Sequence, residues 1–69
     1  MNLKAGDLVR LQGHVVCGVD IDTPKTCEIV FVYPGGNVYE VRIPGERETQ
    51  IIPDACLRWL ADEAAGRNP

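Results

Sequence analysis

The sequence predicts an all-β domain, a small and strongly bent barrel of five short strands. Three observations carry that expectation. Seven Gly and five Pro cut the 69 residues into short apolar runs. One run, 27–33, is β-branched and aromatic, and another, 38–43, alternates strictly between apolar and polar. Between them stands Pro34-Gly35-Gly36-Asn37, with fixed φ at the proline and permissive φ at the glycines, which is hairpin chemistry.

The first strand is expected over residues 7–11, where Leu8, Val9 and Leu11 surround Arg10 just after Gly6. Residues 12–26 are broken by Gly13, Gly18 and Pro24, too often for a helix, and the stretch is too long for a tight turn. It reads as an ordered loop packed down through Val15, Val16, Val19 and Ile21, with a short strand accommodated around 15–19. In the central hairpin, Ile29, Phe31 and Tyr33 fall on one face of the first arm, Val30 and Val32 on the other. On the return arm Tyr39, Val41 and Ile43 share a face, with Glu40 and Arg42 opposite. Pro44-Gly45 makes a second turn and 48–52 a fourth strand.

Pro53 stops that strand, because it lacks an N–H donor and holds Ile52 extended. Two readings compete beyond it. The preferred one is a 3₁₀ turn at 53–56 followed by a closing strand at 57–60. The other is a helix over 53–65 with Pro53 at its start, Gly66 at its end, and Cys56, Trp59, Leu60 and Ala64 on one face. The barrel domain is thus expected over 1–61, with 62–69 a tail that is frayed or a short C-terminal helix. Five short strands, a long first loop and a 3₁₀ turn before the last strand describe the Src-homology-3-like architecture, which hosts many unrelated functions.

Composition narrows the function class. Hydrophobic residues are 45% and charged residues 25%, as in globular proteins and unlike disordered tails. The longest apolar run, 29–33, is far below the roughly 20 residues of a membrane helix. No basic segment precedes an apolar one at the start, so a cytoplasmic protein is expected, with no membrane partner. A net charge of −3 and a pI near 4.9 disfavour a nucleic-acid partner bound through phosphates.

The stretch 28–42 resembles a family of small bacterial proteins of unassigned function. Val32-Tyr33-Pro34-Gly35-Gly36 and Tyr39-Glu40-Val41 match its valine-rich strand, Gly-containing turn and Tyr-Glu-Val, and Ile52-Pro53 followed by Leu57 matches its ending. The resemblance covers about the last two-thirds of the chain and implies a Src-homology-3-like barrel, with no assigned chemistry. Residues 13–26 depart from it. A second resemblance joins 6–10 and 49–57 to the plasmid-borne type II dihydrofolate reductases, barrels that assemble as tetramers around a pore. It implies that Gln50 and Ile51 would line such a pore. Ile52 stands where that family has tyrosine, and its basic segments after the first strand are replaced by Leu11-Gln12-Gly13-His14. A pore for two anionic ligands needs those cations, so an enzyme related to these reductases, with a pore around Gln50, is the alternative function and not the expected one.

Other chemistry is sparse. Cys17, Cys27 and Cys56 with His14 form a Cys₃His set, but only His14 and Cys17 have zinc-knuckle spacing, and no metal or cofactor is expected. Reduced, buried thiols are the simpler reading, with a Cys17–Cys27 bridge relevant only to an exported protein. Asp20 and Asp22 with Glu28 lack the further oxygen ligands of a calcium loop and read as solvated acids. No catalytic constellation accompanies them. Tyr33 and Tyr39 flank the 34–37 turn, placed to stack across the hairpin.

The most informative excess is apolar. Residues 27–33 are apolar on both faces, whereas a small barrel has one inside, and Ile52 and Leu60 are out of phase with Ile51 and Trp59. A small core gains stability by association. The expectation is a binding module, self-associating and open to a protein or small-molecule ligand. Its candidate contact residues are Val30, Val32, Tyr33, Tyr39, Thr49, Gln50, Ile51 and Ile52.

Overall fold

The computed structural model describes residues 2–14 and 18–66. It is mostly β. Four strands, β1 (Leu8–His14), β2 (Asp20–Val32), β3 (Val38–Arg42) and β4 (Gln50–Pro53), pair antiparallel in the order β1-β2-β3-β4. The sheet is open rather than closed into a barrel, and a helix, α1 (Asp54–Ala64), follows β4 directly.

That helix corrects the preferred reading of a 3₁₀ turn and a fifth strand at 57–60. A strand would bury Leu57 with Trp59. The chain instead buries Leu57 and Leu60, one helical turn apart, and leaves Trp59 45% exposed. Pro53 is extended at the N-cap (φ −64°, ψ 152°), and Asp54 opens the first turn where the helix dipole favours an anion. Arg58 reaches back four residues to clasp Asp54, with Nε and Nη2 each 2.9 Å from Oδ2. The C-terminus is closed by hydrogen bonds from the Ala65 and Gly66 amides to the carbonyls of Ala61 and Glu63.

The segment expected to be a loop is mostly strand. β1 runs on to His14, and β2 begins at Asp20, pairing Gly13 with Ile21 and His14 with Asp20. Pro24 is accommodated by a bulge. Two steps along β1, from Leu11 to Gly13, face four along β2, from Lys25 back to Ile21. The Gln12 side chain spans this irregularity, its Nε2 donating to the Asp22 carbonyl at 3.2 Å. Residues 15–17, which hold most of the short strand considered around 15–19, lie outside the described residues.

A second bulge sets the faces of the central hairpin. Ile29 pairs with Val41 and Phe31 with Glu40, so Val30 is an extra residue on β2. Parity therefore changes at Val30. Ile29 points inward, Phe31 outward and Val32 inward, against the expectation that Ile29, Phe31 and Tyr33 share a face. Tyr39, Val41 and Ile43 are buried together, as their alternation implies.

The core lies between the inner face of the sheet and α1, which packs chiefly on β1. Leu11, Ile21, Cys27, Ile29, Tyr39, Val41, Ile52, Leu57 and Leu60 are completely or almost completely buried. Tyr39, expected at the contact surface, is a core residue whose hydroxyl donates to Asp54 Oδ1 at 3.1 Å, tying β3 to the start of α1. It does not stack on Tyr33; that ring meets Phe31 instead. Among the described residues no buried side-chain polar atom lacks a partner.

Candidate functional site

The outer face of the sheet carries uncovered apolar side chains. The register places Phe31, Glu40 and Ile51 side by side across β2, β3 and β4. Directly paired residues share a face, so these three form one row. Phe31 and Ile51 are each 48% exposed. The next row holds Tyr33, whose amide donates to the Val38 carbonyl at 3.0 Å, then Val38 and Pro53. The rings of Phe31 and Tyr33 meet edge to face, 4.9 Å between centroids and 84° between planes, which steadies both.

Glu40 sits in the middle of this apolar surface. The Thr49 hydroxyl donates to its Oε2 and orients the carboxylate. One outer row further along β2 and β3, Glu28 and Arg42 face each other at 3.7 Å, so that cation is already matched to another acid. The arrangement suits a cation carried on an apolar backbone. An aromatic ring face and a fixed carboxylate can both contact one such group.

The eight residues expected at the contact surface divide accordingly. Tyr33, Thr49 and Ile51 belong to the outer face or its support, while Val30 is the half-buried bulge residue beside it. Val32 is half-buried against the core, and Tyr39 and Ile52 are inside it. Gln50 lines a different feature, an open cleft of about 100 Å³ with Gly18, Val19, Asp20, Ile43 and Glu46. Phe31 and Glu40 were not among the expected contact residues. The alternation of β3 points Glu40 outward, but the exposure of Phe31 depends on the bulge.

Burial pushes the Cys27 thiol above its ordinary value, only partly opposed by Lys25, and its Sγ contacts the Lys25 carbonyl at 3.6 Å. A raised thiol is a poor nucleophile. Cys56 is half-buried on α1, and Cys17, needed for both the Cys₃His set and the Cys17–Cys27 bridge, lies outside the described residues. Glu28 is engaged with Arg42 and does not join Asp20 and Asp22. Those two meet His14 instead: one donor atom from each of the three residues lies within 4.8 Å of the others. Among the described residues no helix is long and apolar enough to cross a membrane. No family model, curated protein or solved structure matches the chain.

Proposed function

We propose that this protein is a small binding module whose outer sheet face receives an extended, basic and apolar segment of a partner protein. The observation that carries the reading is the row Phe31–Glu40–Ile51: two half-exposed apolar side chains flank a carboxylate held by Thr49. The net charge of −3 favours a cationic partner. Strand β4 is an edge, so it offers backbone groups to an added strand beside the same row. A few half-exposed side chains cover much less than the roughly 800 Å² per partner of a standard stable interface. A short segment fits that area better than a second whole copy.

Self-association is the second reading, favoured by the open β4 edge, which a second chain would extend. The reductase reading has less support. Its pore residue Gln50 opens on the cleft with Glu46 and Asp20, an acidic neighbourhood unsuited to anionic ligands.

The test is titration of the labelled protein with a peptide of alternating Arg and Leu, and with its Glu-for-Arg counterpart, read by amide shifts. The Arg peptide is expected to shift Phe31, Tyr33, Glu40, Ile51 and the β4 amides, and E40Q to weaken it by at least about tenfold. Equal responses to both peptides, or shifts confined elsewhere, overturn the proposal. A dimer in equilibrium sedimentation that F31A and I51A dissociate assigns the face to self-association instead.

A further inference from the structure

We infer that His14, Asp20 and Asp22 form a binding site for a divalent transition-metal ion at the distal end of the β1–β2 pair, separate from the outer-face surface. The strand register builds it. His14 stands directly opposite Asp20, and Asp22 lies two residues along the same strand, so all three side chains leave one face. Ile21 between them turns inward and is 2% exposed, which anchors the two acidic residues to the core. The metal ligands therefore project from paired backbone.

The distances suit a shared ion. His14 Nδ1 and Asp20 Oδ1 are in direct polar contact at 3.0 Å, a contact the metal would replace, and one donor atom of each of the three residues lies within 4.8 Å of the others. Donors about 2.1 Å from one metal lie about 3 Å apart at adjacent corners of its coordination shell and about 4.2 Å apart at opposite corners. One pair thus already has an adjacent-corner spacing. A rotamer adjustment in Asp22 would bring in the third ligand.

Charge supports the same reading. Two carboxylates share this face with one imidazole, and the cations carried by the same two strands are directed elsewhere. Arg10 Nη1 donates to Thr26 Oγ1 at 3.3 Å, and Lys25 Nζ to the Pro44 carbonyl at 3.3 Å. An ion would neutralise the pair of acids. All three side chains are exposed, which leaves room for the water ligands that complete a three-ligand site. One nitrogen and two carboxylate oxygens suit Mn²⁺, Fe²⁺ or Zn²⁺.

The probe is Mn²⁺, for which thiolates compete poorly, and the chain has a single histidine to report on it. Sub-stoichiometric Mn²⁺ is expected to broaden the His14 imidazole signals and the amides of Asp20 and Asp22, saturably and below about millimolar metal. The D20N/D22N variant, altered at two exposed positions, is expected to keep its amide spectrum elsewhere and lose at least about tenfold in Mn²⁺ affinity. Equal broadening in the variant, broadening spread over all surface acids, or none in the native protein overturns the site.

Discussion

The indole of Trp59 lies over the backbone of Gly13: a Cβ at residue 13 would come within 2.6 Å of Cζ3. Gly13 also has φ +123°, a conformation that side chains rarely adopt. Two independent costs therefore meet at one residue, and only one of them depends on Trp59. G13A is expected to destabilise the protein by about 2–4 kcal/mol. In a double-mutant cycle W59A should relieve part of that loss, leaving the strain term of about 1–3 kcal/mol. Urea denaturation of the four proteins measures it, and strict additivity would remove the indole from the account.

Adjacent residues of β4 are expected to behave oppositely. Ile52 is completely buried and Ile51 is 48% exposed. I52A should cost about 2–5 kcal/mol and I51A less than about 0.5 kcal/mol. Denaturation midpoints check the pair. Similar losses would mean that the outer face is covered in the free protein.

Removal of the Tyr39 hydroxyl isolates the link from β3 to α1. It donates to the Asp54 carboxylate, which also accepts two bonds from Arg58. Y39F is expected to cost about 1.5–3 kcal/mol, the range for hydrogen bonds to charged groups. R58A, at a 64% exposed side chain, should cost less than about 1 kcal/mol. An R58A loss as large as that of Y39F would contradict this ranking.

Alkaline pH should unfold the protein through two groups. Burial raises the Cys27 thiol above 9.0, and burial followed by the Asp54 carboxylate raises the Tyr39 phenol above 10.0. Both are neutral when protonated, so the unfolded chain releases these protons first as pH rises. Their contribution to stability is full below about pH 9 and declines above it. Urea titrations across that range test the sign, and C27A should delay the onset to about pH 10. Stability that increases through this window would refute the assignment.

Much of this architecture can be read from single residues. Tyr39, Val41 and Ile43 announce their common burial because β3 is regular, and the Pro34–Asn37 hairpin follows from turn chemistry. The β1–β2 arm is hidden because Pro24 and Gly18 are chain breakers, and a bulge that accommodates a proline is a tertiary solution. α1 is ambiguous because Leu57, Trp59 and Leu60 fit either period until the inner face of the sheet selects Leu57 and Leu60. The outer face is least legible, since the outward turn of Phe31 and Tyr33 depends on one extra residue.

That residue, Val30, gives the bulge a consequence beyond local geometry. β2 can be read in two phases, because its even and odd positions from 29 to 33 are equally greasy, so pattern alone leaves the pairing undecided. An in-step ladder would tuck Phe31 and Tyr33 into the core and show Val30 and Val32 to water. The choice is latched at the loop, where the Tyr33 amide meets the Val38 carbonyl and the Gly36 amide meets the Tyr33 carbonyl, both at 3.0 Å. What the sheet displays is thus encoded in its turn, and the shortest route to a different surface is a change in the length of residues 34–37.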